Sequence, residues 1–260
     1  MRLLVTGGRT GYLGRYVVAA ATGHEVVAVG SADADVRDAA AVESLVERHR
    51  PDAIIHTAYV QSDRAVTADG AAHVASAAAR YGARMVLVSS DVVFGGSCRP
   101  YDETAPTDPV SPYGEAKVAA ERAVLDTRAD AVVARTSLIL GDGASQHEEL
   151  VRRLAAGADG GLFEDERRCP VHVEDLARAL VELAEGVVQG VLHVAGADGM
   201  SRHELGRLIA LRDGLDPDVL RATTRAALAV PGPVDVRLDS SRAATLLSTR
   251  LRGAREFLAP

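Results

Sequence analysis

The chain opens on a short apolar run, RLLVT at 2–6, that passes without a break into GGRTGYLGRYVV. Glycines 8, 11 and 14 fall three apart, and an amphipathic stretch begins near residue 12. A strand that turns through glycines into a helix brings backbone N–H groups close to whatever lies above the turn, and the helix N-terminus favours negative charge there. Spaced glycines alone mark a common turn. After a strand and before a helix they predict a dinucleotide pyrophosphate site. The candidate cofactor-binding residues of this loop are Gly8, Arg9, Thr10, Gly11, Tyr12, Leu13 and Gly14.

Four more short runs follow: EVVAV (25–29), AIIHTA (53–58), RMVLVSS (84–90) and AVVART (131–136). They are apolar throughout, as strands covered on both faces are. Between them the spacing of apolar residues predicts helices near 12–22, 39–50, 65–82 and 112–127. Strand and helix in alternation predict an α/β fold with a doubly wound parallel sheet. The second half is less regular, with helices predicted at 147–157, 174–186 and 202–214 and one more strand at GVLHVAG, 190–196. Segment 217–260 mixes Pro, Gly and Arg and matches no template. The expected organisation is a dinucleotide-binding domain of 1–143 and 170–197, with a small C-terminal substrate lobe of 144–169 and 198–260.

Of the 260 residues 47% are hydrophobic but 3% aromatic, with no Trp, so the core must be aliphatic. A net charge of -7 argues against nucleic acid or an anionic membrane as partner. Cys98 and Cys169 are far apart and form no metal-ligand or disulfide pattern, so no metal is expected. With no signal-peptide layout and no apolar run long enough to span a bilayer, a cytoplasmic location is expected.

The most informative single residue is Lys117. It is the only lysine among 29 lysines and arginines, and it stands four residues after Tyr113 in SPYGEAK, 111–117. A GC-rich coding bias accounts for the arginines but not for where one lysine was kept. Ser111 is placed to cap a helix whose first turn holds Pro112, so Tyr113 and Lys117 share one helical face. A phenol with a pKa of about 10 is a poor proton donor or acceptor at neutral pH. A nearby ammonium is expected to draw Tyr113 toward neutrality. The strand at 84–90 ends in Ser89 and Ser90, at the edge of a parallel sheet that faces the ligand crevice. A hydroxyl there can hydrogen-bond a carbonyl oxygen as it gains charge. The plain alternative is a solvated surface pair. The glycine loop upstream and Ser90 on the intervening strand favour a catalytic set of Ser90, Tyr113 and Lys117. Lys117→Arg is expected to spare stability and remove most of the activity, because a guanidinium does not replace a compact ammonium.

Nothing acidic stands directly at the tip of the second strand, where a carboxylate would hold the 2′-hydroxyl of NAD. Ser31 is there, and Arg9 can face a 2′-phosphate, which points to NADP(H) over NAD(H). The glycine spacing G-x-x-G-x-x-G, together with GARMVLVSSDVVFGG, PYDETAPTDPVSPYGEAK, ARTSLILG and RCPVHVEDLARAL, resembles the extended short-chain dehydrogenase/reductases, and most of all the dTDP-4-dehydrorhamnose reductase group. The likeness covers most of 1–186 and implies a Rossmann-type domain with Ser90, Tyr113 and Lys117 as its catalytic trio. It further implies that Asp35 and Val36 hold the adenine and that His56, Thr57 and Ala58 line the phosphate–ribose side. Arg135, Thr136 and Ser137 would lie near the nicotinamide. Ser89, Asp91, Val92 and Arg168 would meet the substrate, Arg168 at its diphosphate. There are departures. The family often has Asn at positions 56 and 67, Tyr at 92, and Gln, Gly and Thr at 166, 168 and 171, where this chain has His56, Thr67, Val92, Glu166, Arg168 and Val171. The expected activity is NADPH-dependent reduction of a keto group, at C4, on a nucleotide-activated deoxysugar. An epimerase that retains NAD and a non-catalytic NADP-binding regulatory subunit are the rivals, and a homodimer is the assembly to test. Related 4,6-dehydratases follow the catalytic Ser or Thr with Asp and Glu; here Asp91 precedes Val92, so elimination lacks its base.

Overall fold

Along the first strand Leu3 and Val5 pack to one side and Leu4 to the other, the alternation that extended backbone imposes. A strand apolar on both sides needs cover on both. The computed structural model, which describes residues 1–127, 130–228 and 232–259, supplies that cover with helices on each face of one six-stranded sheet. Its strands are β1 (Arg2–Thr6), β2 (Glu25–Val29), β3 (Ala53–His56), β4 (Arg84–Ser90), β5 (Ala131–Thr136) and β6 (Gly190–His193). They pair in parallel throughout, in the order β6-β5-β4-β3-β1-β2. Helices α1 (Tyr12–Ala20) and α6 (Val173–Glu185) place Leu13, Val17, Leu176 and Leu180 against one face. Helices α2 (Ala39–His49), α3 (Gly70–Tyr81) and α4 (Pro112–Asp126) place Leu45, Val74 and Val124 against the other. The chain steps outward from β1 to β2 and then returns to build β3 on the opposite side of β1. That reversal opens a crevice at the C-terminal ends of β1 and β3, where open α/β sheets bind ligands.

Two predicted strands end early. The run at 53–58 leaves the ladder after His56, where Thr57 turns its hydroxyl onto the Thr6 carbonyl at 2.6 Å, and the run at 190–196 leaves it after His193. The predicted helix at 65–82 is a π-turn, Ala65–Asp69, running into α3. Helix α4 begins as the sequence demands: the Ser111 hydroxyl accepts from the Gly114 N–H at 3.1 Å, and Pro112 occupies the first turn.

A second, smaller core of Leu140, Val151, Leu154, Leu162, Ile209 and Leu258 gathers around α5 (Gln146–Ala155) and α7 (Arg202–Arg212). Each of these helices starts with a reciprocal cap, Ser145 with Glu148 and Ser201 with Glu204. The described part of segment 217–260 belongs to neither half alone; residues 229–231 and 260 lie outside the described residues. Its Ala222–Thr223 pairs with Leu162–Phe163, whereas Ala243 is buried against the α1/α6 side of the large sheet. Short polar and apolar pieces of this tail, expected in the lobe, cross from one core to the other.

Candidate active site

A cavity of about 1000 Å³ runs along the C-terminal edge of the sheet, across the reversal between β1 and β3 and out to the lobe. At one end Thr10, Gly11, Tyr12, Leu13 and Gly14 line it. The tight turn falls on Gly7, whose φ of +70° is left-handed. A Cβ on Gly14 would lie 2.2 Å from the Gly7 carbonyl oxygen, so the loop closes on α1 only because that side chain is missing. Gly8, expected at the ligand, turns its amide to Val5 O and Val29 O at 3.3 and 3.1 Å and lies beneath the loop. Arg9 is also not among the described residues that line the cavity; it is exposed and pairs with Asp33 at 3.3 Å. Ser31, Asp35 and Val36 do line it, with Arg37 beside them. Arg37 grips both oxygens of Asp35 at 2.6–3.0 Å and holds that carboxyl down to about 2.

Thr57 and Ala58 reach the cavity, but His56 and Arg135 do not. His56 is buried with Nδ1 sharing a hydrogen bond with Thr6 Oγ1 at 2.8 Å; burial, with Lys117 nearby, pushes its imidazole down to about 3, so it is neutral. Arg135 is turned away by strand alternation. Thr136 and Ser137 face the cavity, whereas Arg135 lies under α4 and grips Glu121 through Nε at 3.0 Å and a terminal nitrogen at 2.7 Å. Ser89 shares that inner side: although it borders the cavity, its hydroxyl donates to Glu121 at 2.5 Å rather than to a substrate position.

At the centre, Ser90, Asp91, Val92, Tyr113 and Lys117 converge on one wall. The Ser90 hydroxyl donates to Asp91 at 3.3 Å, long for an O–H···O bond and easily exchanged for a ligand oxygen. Asp91 is buried, accepts from Ser137 Oγ at 2.6 Å and faces Arg168 Nε at 3.5 Å; burial raises its carboxyl and Arg168 opposes the rise. Lys117 Nζ donates to Val88 O at 3.0 Å and sits 4.9 Å from the ring centre of Tyr59 and 5.8 Å from that of Tyr113. The expected downward pull on Tyr113 is not what this geometry gives. Burial pushes the phenol well above its ordinary range, with Tyr59 and Asp91 adding to the effect. Lys117 is the group that moves down, to about 8, because burial disfavours its charge while Glu121 supports it. Tyr59, whose ring lies 5.9 Å from that of Tyr113, carries no motif in the sequence and was missed.

At the lobe end Gln146, His147, Glu166, Arg168 and Arg225 line the cavity. Glu166 faces Arg168 at 3.5 Å, Arg202 at 3.9 Å and Arg225 Nε at 2.9 Å. Arg168, expected on a substrate diphosphate, instead donates to the carbonyls of Arg167, Pro233 and Val234 at 2.8–3.1 Å. It holds the chain around the cavity, and no local spacing announces that role.

The residues fit a dinucleotide. The close Gly7–Gly14 approach would be blocked by any Cβ on Gly14, the first turn of α1 faces the cavity, and the buried Thr136 hydroxyl has no partner among the described residues. The fold is the Rossmann-like one of the extended short-chain dehydrogenase/reductases. The comparisons narrow the class. The model of the RmlD substrate binding domain family matches residues 1–259, and the chain belongs to that family. It is 37% identical to a dTDP-4-dehydrorhamnose reductase of Mycolicibacterium smegmatis, over 99% of this chain and 84% of that one. A dTDP-4-dehydrorhamnose reductase of Bacillus anthracis, solved in complex with NADP, superposes with a TM-score of 0.89 at 22% identity, covering 99% of this chain and 96% of the other. The chain is also 31% identical to methionine adenosyltransferase 2 subunit beta of Xenopus laevis, over 93% of its length and 81% of that relative.

Proposed function

We propose that this protein is a cytoplasmic, NADPH-dependent reductase of a keto group at C4 of a nucleotide-activated deoxysugar, acting through Ser90, Tyr113 and Lys117. The observation that carries the reading is the convergence of those three side chains with the glycine loop on one cavity. Similarity to dTDP-4-dehydrorhamnose reductases supports the substrate class. When bound, the nicotinamide supplies the hydride that reduces the carbonyl carbon. Ser90 Oγ hydrogen-bonds the carbonyl oxygen, and the Tyr113 hydroxyl gives it a proton. A phenol whose pKa is pushed up keeps that proton until an alkoxide, the stronger base, forms beside it. Lys117 holds positive charge at the same wall and reaches the ribose. NADP(H) is favoured over NAD(H) by the hydroxyl of Ser31 and the guanidinium of Arg37 in the cavity lining at the β2 tip, with exposed Arg9, paired with Asp33, just outside it. The lobe, with its side of the cavity, takes the sugar nucleotide. Turnover of a panel of nucleotide keto-sugars with NADPH and with NADH tests this reading; no turnover of any of them refutes it.

A second reading has one observation behind it, the similarity to methionine adenosyltransferase 2 subunit beta. A regulatory subunit would bind NADP and reduce no ketone, so the same panel separates the two.

A further inference from the structure

Ser89, Glu121 and Arg135 form one hydrogen-bonded unit beneath α4, with one terminal nitrogen of Arg135 left without a hydrogen-bond partner among the described residues. Tyr113, Lys117 and Glu121 follow at intervals of four, so they lie along one stripe of the helix. Lys117 is 5% exposed, Glu121 3% and Arg135 4%. An ammonium taken out of water ordinarily gives up its proton. The hydrogen bond from Nζ goes to a neutral carbonyl, that of Val88, and the two nearby rings offer their π faces. Neither is a full counter-charge. Glu121, one turn further along the stripe, carries one; its direct ion pair is with Arg135, and the ammonium feels the carboxylate at longer range. Ser89 Oγ donates to its Oε1 at 2.5 Å, and Arg135 donates to both oxygens at 2.7–3.2 Å. For stability alone this is a poor use of the interior, since apolar side chains of similar volume commonly serve as well as a buried ion pair.

The other ionisable groups around the stripe do not substitute for it. His56 from β3 is neutral, and Tyr59 and Tyr113 are uncharged phenols. Asp91, in the turn after β4, is engaged by Ser137 and Arg168. Arg135 from β5 and the His193 that feels it from β6 bring no negative charge.

We propose that Glu121 is a positioning residue that keeps Lys117 protonated inside the protein, and that Ser89 and Arg135 serve to fix its carboxylate. Arg135, which the family likeness assigned to the nicotinamide, thereby acts two side chains away from the reacting atoms.

The sequence provides the probe. With one lysine in the chain, ¹³Cε-lysine labelling of the full, tag-free protein gives a single NMR signal to titrate. The expected midpoint is about 8 in the wild type. In Glu121→Gln it falls by about one pH unit or more, the usual effect of removing an opposite charge at close range. Ser89→Ala, which loosens the carboxylate without removing it, lowers the midpoint by a few tenths and guards against a Glu121 variant that fails to fold. A Glu121→Gln midpoint within a few tenths of the wild type overturns the proposal, and so does an unmoved Ser89→Ala signal. The alkaline limb of kcat/KM should move down with the NMR midpoint. Only that last arm rests on the proposed function. If the signal moves and the limb does not, the role given to Lys117 in turnover falls while the assignment of Glu121 stands.

Discussion

The two ends of the cavity are built from different material. At the glycine-loop end, Gly7 and the run Thr10 to Gly14 contribute mostly backbone from one short stretch. At the lobe end, Gln146 and His147, Glu166 and Arg168, Arg225, and Gly232 with Pro233 come from four separated segments. A backbone site is shaped by where side chains are missing, and a spacing of glycines is enough to encode it. A side-chain site needs charges brought together by the whole fold. The first tolerates little change in shape and the second little change in charge.

The sharpest test lies between the two ends. Lys117→Arg preserves charge and alters shape, and turnover should fall by about 10²–10⁴, the range for losing a general acid–base contribution; purified protein assayed at saturating NADPH reads this directly. Burial of Lys117 corrects the expectation that stability would be spared, since overpacking costs about 1–3 kcal/mol. At the lobe end, Glu166→Ala removes the carboxylate that faces three guanidiniums and should cost about 3–5 kcal/mol, as breaking a buried ion pair does. A thermal melt measures it, and an unchanged melting temperature would break the contrast. At the loop end, Gly14→Ala changes no charge yet places a Cβ 2.2 Å from a carbonyl oxygen. It should cost about 1–3 kcal/mol and weaken NADPH binding, followed by fluorescence titration. The smallest effect is expected for exposed Arg9→Ala, which should narrow the preference for NADPH over NADH by about tenfold or less, against a surface ion pair with Asp33 worth about 1 kcal/mol or less.

The same contrast decides what could be read without a structure. All six strands and the helices around them follow from apolar periodicity, because both faces of a parallel sheet are covered. That Ser90, Tyr113 and Lys117 meet at one cavity was legible because sheet edge and helical spacing place them independently of the lobe. Arg135 was misplaced: a resemblance says which segment is near the ligand, while strand alternation decides which residue of it faces inward. Ser89 differs from Ser90 in the same way. Tyr59 stands just past the end of β3, and Glu121 and Arg37 sit among ordinary helix and loop charges. Their roles depend on partners up to tens of residues away. Arg168 was expected to meet a diphosphate, and the three carbonyls that occupy it come in part from residues 233 and 234, in a segment whose sequence has no periodicity.

The solitary lysine has one more consequence. A protease specific for lysine has a single peptide bond to cut in this chain, and that bond lies inside α4, behind a side chain that is 5% exposed. Nicking there requires the helix to leave the sheet. The rate of appearance of two fragments therefore clocks the detachment of α4 from the large sheet, and any ligand that seats against α4 should slow it in proportion to its occupancy.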